Sequence, residues 1–130
     1  MFIIDCLIGN EDRHNGNWGF LKDIKSEKLV FAPIYDCGSC LFSVYTDEKM
    51  QECMQNNAKM KDCIKNTSSA IRDDGAKIKY FEFITSLKNE DCNNALIRMY
   101  NKINLDEIAK LIDKIDIISN IRKKFYKKVY

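Results

Sequence analysis

Glycine is scarce in this chain, and the five that occur (Gly9, Gly16, Gly19, Gly38 and Gly75) spell neither G-x-G-x-x-G nor G-x-x-x-x-G-K-[ST]. None of the backbone loops that cradle nucleotide phosphates is therefore written here. Histidine occurs once, as His14, without cysteine or carboxylate partners at ligand spacing, which makes a zinc site on it a poor expectation. No apolar run approaches the ~20 residues that cross a bilayer. Met1 to Ile8 is too short and too acidic for a secretory signal, so a cytoplasmic protein without a membrane partner is expected. Repeats, low-complexity tracts and linkers are also missing. The 130 residues, 45% of them hydrophobic, then read as a single domain with one modest core.

Six cysteines are present, Cys6, Cys37, Cys40, Cys53, Cys63 and Cys92. Without an export signal they are expected as free thiols. Cys37-Gly38-Ser39-Cys40 is a C-x-x-C, and a thiol or zinc protein built on it is a minor alternative with Cys53 and Cys63 as distant, irregularly spaced partners. Charge is uneven. Residues 1–65 hold 8 Lys/Arg against 10 Asp/Glu, and residues 66–130 hold 13 against 9. The cluster Arg122, Lys123, Lys124, Lys127 and Lys128 fits the last turns of a terminal helix, where cations complement the dipole, better than a nucleic-acid surface.

What the chain does carry is an ordered set of oxygen donors. Asn10-Glu11-Asp12-Arg13-His14-Asn15-Gly16-Asn17 is followed by Pro33-Ile34-Tyr35-Asp36-Cys37-Gly38. Phosphoryl transfer needs an acid to orient the attacking hydroxyl and take its proton, an Asn five residues later, and a further Asp-x-Gly for the nucleotide-bound magnesium. Asp12, Asn17 and Asp36 stand in that order. Asn17 offers an amide oxygen and Asp36 a carboxylate, hard donors suited to magnesium. His14 is expected to position the loop by hydrogen bonding, and Arg13 to pair with an acid or phosphate in an activation segment. Gly16 is expected to relax the loop before Asn17, and Gly38 to let the backbone turn sharply after Asp36. Trp18 and Phe20 are expected in the core beneath the loop.

These residues resemble the catalytic core of the HipA-like serine/threonine kinases, which often read N-x-D-R-H-x-x-N-x-G-F and then P-x-Y-D-x-G-S-x-L. Phosphoinositide kinases carry a related D-R-H-x-x-N. The motifs cover roughly a third of the chain, from about Phe2 to Leu41. The resemblance implies an ATP- and Mg2+-dependent protein kinase, with Asp12 and His14 as catalytic-loop residues and Asn17 and Asp36 as metal and nucleotide ligands. It also implies, more distantly, a toxin of a toxin–antitoxin pair, with a protein substrate and an antitoxin as partners. The upstream Gly-rich loop and ATP-pairing Lys of such kinases have no counterpart here. The expectation is thus a C-lobe that lacks activity alone, whose partner is the missing N-lobe polypeptide or, through the bared surface, a second copy. The alternative from another class is a non-catalytic binding module derived from a kinase lobe.

The expected fold is α+β and mostly helical: a protein-kinase-like C-lobe with a short β-hairpin beside the catalytic loop and a C-terminal helical bundle. Residues 1–46 hold the motifs, 47–75 form an activation-like segment, and 76–130 are helical. Phe2 to Ile8 ends a helix at Gly9-Asn10, and Trp18–Asp23 pairs with Leu29–Ile34 across a polar turn. Asp73-Asp74-Gly75 is a turn. Helices follow on Ile78, Phe81 and Ile84, and on Ala95, Leu96 and Met99. A third runs behind the cap Asn104, with Ile108, Leu111, Ile112 and Ile115 buried, and a fourth behind Ser119, with Ile121, Phe125 and Val129 on one stripe.

Overall fold

The computed structural model describes residues 1–130 and is an α+β fold, about half helical, with two small antiparallel sheets. Helix α1 (Phe2–Ile8) ends at Gly9, whose φ of 61° is the left-handed cap that glycine adopts without a Cβ penalty. Strands β1 (Phe20–Lys22) and β2 (Leu29–Phe31) pair as the expected hairpin, with Phe20 opposite Phe31. Its turn is fixed by Asp23, whose Oδ1 accepts from the amides of Lys25 and Ser26 at 2.8 Å each.

The stretch after residue 46, where Met50, Cys53, Met54, Met60 and Ile64 are loosely spaced as in helices and Gln55-Asn56-Asn57 is a polar break, follows that spacing. It folds as a helical hairpin, α2 (Asp47–Met54) and α3 (Asn57–Lys65), followed by strand β3 (Ser68–Asp73). Ala76 does not open a helix; Ala76–Lys79 is strand β4, and α4 (Tyr80–Ser86) starts only afterwards. The cause is Asp74-Gly75, with φ 46° and 81°, the paired left-handed residues that close a tight hairpin and fold β4 back on β3. Helices α5 (Glu90–Tyr100), α6 (Leu105–Asp113) and α7 (Asn120–Val129) complete the chain. Asn104 and Ser119 cap α6 and α7 by accepting from the amides of Glu107 and Arg122.

The core is Phe42, Met50, Cys53, Met60, Ile112, Phe125 and Tyr126, where α2, α3, α6 and α7 meet. Ile121 and Val129 pack against it, as their stripe predicts; Leu111, expected inside, is 64% exposed. Cys53 and Cys63 form a disulfide across the α2–α3 hairpin, with Cα atoms 6.5 Å apart. This corrects the expectation of free thiols throughout. The two cysteines look irregularly spaced in sequence, but antiparallel packing brings them face to face within the normal Cα range. Only 15 of the 130 residues are buried, so much apolar surface stays outside. No helix is long and apolar enough to cross a membrane.

One such surface is the β1–β2 ribbon. Trp18 and Phe20, expected beneath the loop, are 37% and 60% exposed. Trp18 stacks on Phe31 at 6.2 Å and Phe20 meets both edge-on. A two-stranded ribbon has no second layer to bury either face, so its aromatics cover one another instead.

Candidate active site

The site is built around one buried ion pair that sequence reasoning missed. Arg13 and Asp5 have side chains 1% and 2% exposed, and Arg13 Nη2 lies 3.0 Å from Asp5 Oδ1. Arg13 Nε donates to both carboxylate oxygens, at 3.1 and 3.2 Å. Asn10 Nδ2 adds a further donor to Asp5 Oδ1 at 3.1 Å. The partner of Arg13 is therefore an acid on α1, not a group in an activation segment. The carboxylate raises the Arg13 pKa further, chiefly through its hydrogen bond, and holds the guanidinium charged despite burial. The available signal was Asp5 itself, a lone acid inside the apolar run Phe2–Ile8.

Arg13 then joins the two motifs. Its Nη1 donates to the carbonyls of Asn17, at 2.7 Å, and Tyr35, at 2.6 Å. Tyr35 answers by donating its hydroxyl to Gly16 O at 3.0 Å, and the Glu11 amide donates to Ser39 O at 3.3 Å. Asn17 and Asp36, nineteen positions apart in sequence, are thus anchored through adjacent backbone to one guanidinium.

Asn10 is wholly buried and fixes the start of the loop. Its Oδ1 accepts from the Asp12 amide at 3.1 Å, and its carbonyl accepts from the Tyr80 hydroxyl. Asp12 follows with an exposed carboxylate that has no protein partner, while its carbonyl accepts from Asn17 Nδ2 at 2.9 Å and from the His14 amide at 2.9 Å. Asn17 is buried, but its amide oxygen has no protein donor and is not enclosed. Asp36 is exposed, sits at φ 53° and also has no partner for its carboxylate. The sharp turn is made by Asp36 itself, since Gly38 does not adopt positive φ and a Cβ on it meets only Asp36 Oδ1 at 3.9 Å.

His14 is exposed and its Nδ1 accepts from the Gly16 amide at 3.0 Å, capping the 3-10 turn Asn15–Asn17. Gly16 is glycine for a reason other than loop freedom: a Cβ there lies 3.0 Å from His14 Cε1, against the ring that caps the turn. No group of three or more His, Cys, Asp or Glu side chains converges to hold a metal. What stands ready is one free amide oxygen and one free carboxylate, hard donors that fit magnesium when phosphate oxygens and water complete its shell.

The C-x-x-C does not behave as a pair. Cys37 is exposed and Cys40 buried, both free. Burial, then the neighbouring Cys37, pushes the Cys40 thiol up to about 12, and burial pushes Cys6 up to about 11. At pH 8 iodoacetamide should label Cys37 well before Cys40 or Cys6, read by peptide mass mapping. Equal labelling of Cys37 and Cys40 would contradict this placement. Because the folded state keeps protons that the unfolded thiols shed near pH 9, these two groups lower stability as pH rises from about 9 towards 11 and 12.

No protein-family model matches the chain. Over 127 residues it is 42% identical to the serine/threonine-protein kinase CtkA of Helicobacter pylori strain J99, a match that covers 96% of this chain and 39% of that protein. The crystal structure of the H. pylori proinflammatory kinase CtkA superposes with a TM-score of 0.92 at 41% identity, covering 99% of this chain and 48% of that one. The chain is homologous to a serine/threonine kinase and shares its structure over the matched part, and it spans less than half the length of that relative.

Proposed function

We propose that this chain is the catalytic-loop lobe of an ATP- and Mg2+-dependent serine/threonine protein kinase of HipA-like type. The observation that carries this reading is the attachment of the backbone carbonyls of Asn17 and of Tyr35, the residue before Asp36, to one buried guanidinium, beside an Asp12 carboxylate left free, in a chain homologous to a serine/threonine kinase. Asp12 accepts the proton of the substrate hydroxyl as the phosphoryl group arrives. Asn17, oriented by its own donation to Asp12 O, and Asp36, held on the turn after Tyr35, bind the metal–nucleotide complex. Magnesium supplies neutralisation of phosphate charge when bound. His14 acts as a positioning residue, since its ring braces the turn that presents Asn17.

The remaining polypeptide of such a kinase supplies the phosphate-covering loop and Lys, and without it little turnover is expected. The exposed Trp18–Phe20–Phe31 ribbon is where that other half would seat, because a contiguous apolar patch beside a site is the mark of a docking surface. The same patch favours the second reading, a partner-binding module without catalysis. The HipA resemblance extends to a protein substrate, an antitoxin partner and a cytoplasmic location.

The test is phosphate transfer from ATP by the chain assembled with a nucleotide-binding half. Asp36→Asn, which exchanges the charged metal ligand for a neutral one, should raise the Mg2+ concentration at half-maximal rate by about tenfold or more. An unchanged magnesium requirement would remove Asp36 from the metal site. The binding-module reading wins if the assembled protein binds its other half and transfers no phosphate.

A further inference from the structure

We propose that a groove beside the catalytic loop selects protein substrates carrying an acidic side chain close to the acceptor hydroxyl, with Arg72 reading the acid. The identity of the bound peptide as a substrate rests on the kinase reading above; its binding does not.

The groove has a volume of about 560 Å³ and runs between Arg13–Gly16 on one side and Ala70–Arg72 on the other. Its walls are fixed together. Glu11 Oε1 accepts from the Ser68 amide at 3.2 Å, and Tyr80, which follows β4, donates to Asn10 O. The groove therefore begins at the residue after Asp12, and a hydroxyl placed over Asp12 puts the neighbouring residues of its chain along it.

Its chemistry is one-sided. No carboxylate lines it. Arg13 is neutralised by Asp5 and has its donors occupied. His14 accepts at Nδ1, so the proton of the neutral ring sits on Nε2, where it remains a free donor. Arg72 gives Nη1 to Gly75 O at 2.6 Å, which steadies the guanidinium while its other N–H groups stay unclaimed. In the ladder Arg72 stands opposite Lys77, and neither enters an ion pair. Like charges set directly across a sheet disfavour the hairpin, so the fold itself gives no account of this pairing. A carboxylate in the groove held bidentately by the guanidinium answers the Arg72 charge and so relieves the pair. No Phe, Tyr or Trp lines the groove, which therefore lacks the stacking surfaces single-stranded nucleic acid uses.

Fluorescence anisotropy tests this on the chain as it stands, without ATP. The probe is a fluorescein-labelled peptide with one serine followed by a run of aspartates, set against the same peptide with asparagines. The aspartate peptide should bind more tightly, and Arg72→Ala should weaken it by about tenfold or more. Arg72→Glu should abolish the preference, and the remote exposed cation variant Lys124→Ala should leave it intact. Equal affinity for both peptides, indifference to Arg72→Ala, or equal competition by an oligothymidine would overturn the proposal. Should Asp12 prove irrelevant to phosphate transfer, the kinase reading falls while these affinities stand, so the two failures are distinguishable.

Discussion

Asp5→Ala should destabilise the fold by roughly 3–5 kcal/mol, because it strands a buried guanidinium without its counter-charge. Against the ~5–15 kcal/mol that holds an ordinary domain together, such a loss approaches unfolding. Urea denaturation reads it as a large fall in midpoint. The arrangement allows a sharper version. Replacing both partners, Asp5→Leu with Arg13→Met, removes two desolvated charges together, and pairs exchanged in this way for apolar residues often keep their stability. The double variant should therefore recover much of the midpoint lost by Asp5→Ala. It should not recover function, because the carbonyls of Asn17 and Tyr35 then lose the guanidinium that holds them together. A double variant with restored stability and full phosphate transfer would show that Arg13 does not organise the site.

Asp12→Ala should cut phosphate transfer by about 10²- to 10⁴-fold in the chain assembled with a nucleotide-binding half, the usual contribution of a positioned acid–base group. Stability should barely move. The Asp12 carboxylate is exposed and makes no hydrogen bond within the protein, and the contacts that fix the loop use its main chain, which alanine keeps. The diagnostic result is a collapsed kcat with an unchanged melting temperature and retained peptide binding. Asn17→Ala offers the contrast, since Asn17 is buried and ties the loop to Asp12 O, so its loss lowers both rate and stability. A transfer rate indifferent to Asp12→Ala would sink the assignment of this carboxylate.

The elements most legible in the sequence were those with local signals. Gly9 closes α1, Asn104 and Ser119 start α6 and α7, and the stripe Ile121, Phe125, Val129 finds the core. The hairpin of β3 and β4 was missed although its turn was recognised. Asp74-Gly75 demands the tight reversal, but Ser68–Asp73 and Ala76–Lys79 are short and lack clean apolar alternation, so the strands themselves gave little signal. Trp18 and Phe20 were misplaced because hydrophobicity along a strand says that a face is covered, not by what. In this chain the two rings and Phe31 cover one another and otherwise face solvent.

By itself the order of residues determined which chemistry is on offer: an acid, an amide and a second acid in phosphoryl-transfer spacing, with the caps and stripes that make most of the helices, because these depend on neighbours a few positions apart. Tertiary structure alone decided what holds that chemistry together. The Asp5–Arg13 pair, the reach of Arg13 to Tyr35, the Cys53–Cys63 bridge and the groove between His14 and Arg72 all join residues whose relation depends on how separate elements pack. Burial turns an ordinary Asp and Arg into an indispensable pair, and burial is a property of the folded whole.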